Sequence, residues 1–223
     1  MTDSLITDAA TIEHWPTWTT DLFIATQPIH ELIKAPVLHA IHAHRRQAQT
    51  AIASEVAVTA KHGLFESELD YLDGANADLQ TLKQVLTDLV LDCATSVNQA
   101  HWPDDAEPQA EIIESWYHLT ENGGYHDAHS HPNCSWCGIY CLEPGESNIE
   151  TRNGVNRFYD PRHNAAHYMD AGTAYLDNHG FWDVAPVAGQ VVIFPSYLKH
   201  SALPYFGQQQ RVVLAFNAQV HLF

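Results

Sequence analysis

The residues best suited to chemistry in this sequence are His129-Ser130-His131. Residues i and i+2 of a strand point to the same face, so two imidazoles at this spacing reach one metal ion without distorting the backbone. A third ligand has to come from elsewhere, and His200 is the strongest candidate. It follows Gly189-Gln-Val-Val-Ile-Phe-Pro195, which reads as a buried strand ending at a proline. Eleven residues further on, Arg211 opens another apolar strand. In antiparallel neighbours, His200 and Arg211 can face one cavity. Arginine commonly serves in surface salt bridges, but at the head of a hydrophobic strand a buried role with an anionic partner is at least as well supported. Asp127 shares the i, i+2, i+4 face with His129 and His131, so a set of Asp127, His129 and His200 is an alternative. The chain has 16 histidines, spread almost evenly, so spacing and order select these three rather than abundance.

Other motifs follow in order. Gly123-Gly124-Tyr125 precedes the histidine pair and Pro132 follows it. Then come Cys137-Gly138-Ile139-Tyr140-Cys141, Asp160-Pro161-Arg162, Phe194-Pro195 with His200 five residues after the proline, and Arg211 to Asn217. This ordered series resembles the Fe(II)/2-oxoglutarate-dependent oxygenase superfamily, and within it a subgroup of uncharacterised oxygenases. The resemblance covers roughly residues 112–220, with a fainter likeness from Gly63 to Leu72.

The resemblance implies an α+β fold with a double-stranded β-helix, or jelly-roll, core. It implies Fe(II) held by His129, His131 and His200, with 2-oxoglutarate and O2 as cosubstrates. It implies that Arg211 pairs the distal carboxylate of 2-oxoglutarate, as a planar guanidinium can through two parallel hydrogen bonds. The expected reaction is decarboxylation of 2-oxoglutarate to succinate coupled to hydroxylation of a substrate C–H bond. Two departures stand out. The superfamily usually carries Asp or Glu where this chain has His131, so three neutral ligands would leave iron at +2 rather than +1. Many relatives place Ser two residues after the arginine, where this chain has Val213. The cosubstrate would then take its remaining hydrogen bonds from groups such as Tyr140 or Ser196. Arg157 and Arg162 are candidates for the substrate mouth, although Asp-Pro favours a turn and Arg162 can equally brace a loop.

Rival readings use the same residues. His131-x-x-Cys134-x-x-Cys137 has zinc-like spacing, but no second knuckle follows. Cys137 and Cys141 also share a strand face, as packed core thiols would. A cupin-like three-histidine dioxygenase that does not use 2-oxoglutarate fits H-x-H and a later His. It lacks the expected glutamate after the pair and the glycine before His200. A non-catalytic metal-binding or interaction domain is the third alternative.

The elements that must hold these residues change character near residue 100. Before it the pattern is helical. Leu79, Leu82, Leu86, Leu89 and Cys93 recur at three- and four-residue steps over 77–97, with Asn76 as N-cap and Asp78 in the first turn. Pro36 would open an earlier helix running through Val58 and closed by Gly63, with 64–74 as the connection. After it, short strands are expected over 112–120, 137–142, 155–159, 190–194 and 211–220. One domain over 1–223 is expected, with a helical layer at about 1–100 and a jelly-roll core at about 110–223.

Composition bounds the partners. With 27 acids against 10 bases the formal charge is −17, which argues against binding nucleic acid or an anionic membrane surface. The substrate expected is a small molecule or peptide. Disorder is excluded by 45% hydrophobic and only 17% charged residues. The start lacks a basic segment followed by an apolar stretch, and three of the four cysteines crowd into 134–141. Free thiols in a reducing cytoplasm are therefore expected.

Overall fold

In a computed structural model, the described residues are 19–51, 61–162, 168–176 and 180–223. Among them two helices, α1 (His30–Ala51) and α2 (Ala77–Asn98), cover one face of a curled antiparallel sheet. Its strands are β1 (Phe23–Thr26), β2 (Lys61–Glu66), β3 (Pro108–His129), β4 (Trp136–Glu143), β5 (Asn156–Tyr159), β6 (Phe181–Val184), β7 (Gln190–Pro195), β8 (His200–Tyr205) and β9 (Arg211–Leu222). Their spatial order is β1-β7-β4-β9-β3-β8-β5-β6, with β2 paired to β3. This is the jelly-roll architecture that the sequence leads one to expect.

The 22-residue strand β3 belongs to both layers of the curl. Its first half pairs β9, from Pro108 opposite Leu222 to Thr120 opposite Arg211. Its second half pairs β8, ending with His129 opposite His200. Between the halves, Gly124 lies so close to β2 that a Cβ there would stand 2.4 Å from the Gly63 carbonyl oxygen. Gly63 has φ +58, a conformation that glycine adopts without strain.

Alternation along the central strands separates a packed face from a cavity face. Val212, Leu214, Phe216 and Ala218 of β9 join Trp136, Tyr140 and Leu142 of β4 and the buried helix residues in one core. Arg211, Val213 and Ala215, with Cys137 and Ile139, line a cavity on the other side. Helix α2 supplies Leu79, Leu82, Leu86, Val90 and Cys93 to the core. Asn76 caps it as expected, its Oδ1 accepting from the backbone N–H of Asp78 at 2.9 Å and of Leu79 at 3.1 Å.

The first helix departs from expectation. Pro36 does not open it: α1 begins six residues earlier at His30 and carries the proline inside. A proline in a helix interior costs about 3 kcal/mol. Burial of Ile33, Val37 and Ile41 on one face offsets this, at about 1.5–3 kcal/mol for each side chain. The expected run from Pro36 is helical as far as Ala51, and its remainder, 52–58, falls outside the described residues. Gly63 closes no helix, and the connection proposed for 64–74 holds the end of β2, because Leu64, Phe65 and Glu66 pair with Thr120, Leu119 and His118. Strands β1, β6 and β8 were not anticipated either.

Candidate functional site

A β-bulge builds the centre of the cavity. On β3, His126 faces Ala202 and His129 faces His200, so three steps on β3 match two on β8. The extra residue reverses the alternation and turns both His126 and His129 inward, their ring centroids 4.0 Å apart. The carbonyl oxygen of Asp127 accepts from both rings, from Nδ1 of His126 at 3.0 Å and Nδ1 of His129 at 2.8 Å. His200 Nδ1 likewise donates to the Leu198 carbonyl at 3.1 Å. A carbonyl can only accept, so Nδ1 carries the proton in each case, and the Nε2 lone pairs of His129 and His200 are free for a metal.

His129, His131 and His200 bring one nitrogen each to within 4.8 Å of the others. Nitrogens bound at about 2.1 Å on neighbouring corners of an ion sit about 3 Å apart, so modest ring rotations would close this group around one. Burial holds the rings neutral, with His129 and His131 at about 4 and His200 at about 3. Neutral imidazole is the ligating form. The three residues singled out by spacing therefore meet at one point.

Arg211 lines the same cavity. It is 2% exposed, and no carboxylate pairs it among the described residues. Its NH2 group donates to Asn156 Oδ1 at 2.9 Å, while its Nε has no partner. Burial pushes its pKa down, and an uncompensated guanidinium in such a place is costly. The arrangement calls for an anion, and a carboxylate accepting two parallel hydrogen bonds suits a planar fork.

Several expected residues lie elsewhere. Asp127 is exposed and outside the histidine group, because the bulge turns its side chain away while its carbonyl does the orienting. Tyr140 faces the helices, its hydroxyl 2.6 Å from His30 Nδ1; Cys137 and Ile139 of β4 face the cavity. Ser196 donates to the Cys134 carbonyl at 2.6 Å and does not line the cavity. Arg157, on the outward face of β5, grips Asp183 through Nε at 2.7 Å and NH2 at 2.8 Å. Arg162 is exposed, pairs Asp160 and borders a separate groove of about 450 Å³ lined in part by Leu22, Phe158, Trp182 and Leu198. The zinc-like triplet does not assemble. His131 directs its ring to His129 and His200, and Cys134 Sγ approaches only its carbonyl, at 3.9 Å.

Among the cavity residues that escaped the sequence reading are Asn156, His126 and His118. His118 Nε2 lies 2.7 Å from Glu66 Oε2, and burial lowers its pKa despite that partner. Only pairing across strands reveals these residues; no local spacing marks them.

Residues 114–217 match the family model described as "Putative 2OG-Fe(II) oxygenase". This part of the chain is similar to the 2OG-Fe(II) oxygenases. Solved oxygenases share the fold of this chain well beyond the matched segment. A prolyl-4-hydroxylase from Pseudomonas putida aligns with TM-score 0.56 at 18% identity, over 90% of this chain and 94% of that one. HygX from Streptomyces hygroscopicus, solved with nickel, 2-oxoglutarate and hygromycin B, aligns with TM-score 0.53 at 12% identity, over 90% and 83%. A prolyl hydroxylase from Trichoplax adhaerens, in complex with a hypoxia inducible factor peptide, aligns with TM-score 0.53 at 13% identity, over 88% and 82%. At these identities the likeness is one of fold. No curated protein sequence matches the chain. The cofactors of a 2OG-Fe(II) oxygenase, a metal and 2-oxoglutarate, are the two ligands that the histidine group and the buried arginine suit.

Proposed function

We propose that this protein is an Fe(II)- and 2-oxoglutarate-dependent dioxygenase that hydroxylates a C–H bond. His129, His131 and His200 hold the metal, and Arg211 holds the distal carboxylate of 2-oxoglutarate. The observation that carries this reading is the buried Arg211 guanidinium, with Nε unpartnered, lining the same cavity as three neutral imidazoles. Bound iron supplies the oxidising chemistry by activating O2 with electrons from the 2-oxo acid. The chain's own groups bind and orient. Asn156 holds one arm of the guanidinium and leaves Nε for the carboxylate. Trp116, Phe194 and Phe216 wall the cavity with apolar surface, which keeps water from the reacting centre. The carbonyls of Asp127 and Leu198 fix two of the rings.

A cupin-like dioxygenase that does not use 2-oxoglutarate is favoured by the three-histidine donor set but gives Arg211 no task. Succinate formation separates the readings. Protein loaded with Fe(II) in air is expected to convert 2-oxoglutarate to succinate. Arg211→Ala should weaken 2-oxoglutarate binding by about tenfold or more, and Arg211→Lys should fall between, since an ammonium cannot form the two-pronged pair. Full turnover by the Arg211→Ala variant would remove the assigned role, and no succinate from the parent would remove the reaction. Arg162 beside the aromatic groove remains the candidate for contact with the substrate, a small molecule or a peptide.

A further inference from the structure

Cys134 and Cys137 take no part in the metal site, yet their sulfur atoms lie 3.6 Å apart. Both are free thiols. A disulfide needs about 2.05 Å, so side-chain rotation of roughly 1.5 Å joins them. Cys134 is half-buried in the turn ahead of β4, whereas Cys137 is buried and lines the cavity. The backbone on both sides of Cys134 is pinned. His131 N–H donates to the Ser196 carbonyl at 3.1 Å, Ser196 N–H to the Ser135 carbonyl at 3.0 Å, and Ser135 N–H to the Ala218 carbonyl at 3.0 Å. These bonds hold the Cys134 sulfur against its neighbour. Cys137 Sγ meets Asn217 Oδ1 at 3.3 Å, and Asn217 is itself fixed by Glu114 at 2.6 Å.

We propose that Cys134 and Cys137 form a reversible dithiol–disulfide site that is oxidised by hydrogen peroxide and reopened by low-molecular-mass thiols. The more accessible Cys134 sulfur, as thiolate, attacks one peroxide oxygen. The O–O bond breaks, the departing oxygen leaves as water, and Cys134 becomes a sulfenic acid. The Cys137 sulfur then attacks the Cys134 sulfur; the S–S bond forms and the S–O bond breaks. That oxygen leaves as a second water with the Cys137 proton. Two thiols and one peroxide thus give one disulfide and two waters, with two electrons passing from sulfur to oxygen. The bond ties the turn that follows His131 to β4 and draws the Cys137 sulfur away from Asn217. Bridges that are strained or exposed are the readily reduced ones, and this one closes across only three residue steps in a half-buried turn.

The test reads sulfur and does not depend on oxygenase turnover. The full chain is treated with hydrogen peroxide, blocked with N-ethylmaleimide under denaturing conditions, digested and mapped by mass spectrometry. The thiol count is expected to fall from four to two, with loss of two hydrogens in the segment holding Cys134 and Cys137. Dithiothreitol should restore both. Cys134→Ser and Cys137→Ser should each abolish the two-hydrogen loss, and Cys93→Ser should keep it. An unchanged thiol count, a bridge to Cys93 or Cys141, or Cys134 sulfinic acid beside an alkylated Cys137 would overturn the proposal.

Discussion

That Arg211 and the three histidines meet at one cavity was legible from type, spacing and order, because their strands run as the apolar patterning suggests. Asp127, Tyr140 and Ser196 were misplaced for a different reason. Which face a residue takes depends on strand parity: the bulge between His126 and His129 reverses it for Asp127, Tyr140 falls on the helix-facing parity of β4, and Ser196 lies just past β7 with its hydroxyl on the Cys134 carbonyl. The burial of these three histidine rings has a consequence in pH. In the unfolded chain these histidines take up protons near ~6.5, whereas in the folded protein His129 and His131 wait until about 4 and His200 until about 3. The unfolded state therefore binds more protons across this window, and stability falls as the pH drops from ~6.5 toward 4. The thermal midpoint of metal-free protein should decline over that range and lie nearly flat between pH 7 and 8 as far as these rings are concerned. Binding of Co(II), followed by its visible spectrum, should hold down to about pH 5 and then be lost as protons compete.

At the scale of elements, the apolar runs of β4, β7 and β9 and the capped helix α2 announced themselves because their own residues fix their state. Strands β1, β2, β6 and β8 did not. Each is only four to six residues long, β2 contains Gly63 and β8 contains Pro204, so pairing with a distant neighbour decides them. Helix α1 shows the same override, since burial against the sheet carries it through Pro36. Close packing between neighbouring strands yields a sharp expectation at Gly138. A Cβ there would stand 2.0 Å from Cζ of Phe216, so the ring or the strand must shift. Gly138→Ala should destabilise the protein by about 1–3 kcal/mol, measured by denaturant unfolding. It should also disturb the cavity wall that Phe216 shares. A variant as stable as the parent would show that the ring moves freely.

For the molecule as a whole, the −17 charge would oppose a dianionic cosubstrate at long range, while on the proposed function a divalent ion and Arg211 would attract it within the cavity. Salt screens the exposed charges over a Debye length of about 10 Å at 0.1 M and screens buried groups much less. The association rate of 2-oxoglutarate should therefore rise between about 20 and 200 mM salt; a steady fall would mean that local attraction governs the approach. Among the described residues no helix is long and apolar enough to cross a membrane. His129 ends the strand shared by both layers, and His200 begins the strand paired with it. An ion joining them acts as a staple that closes a loop of about 70 residues, and it removes chain entropy from any state in which the layers part. Amides of β8 should then exchange with deuterium markedly faster in metal-free protein than in protein loaded with Ni(II), while those of α2 change little. The ion would thus count among the structural ties of the fold as well as among its reagents.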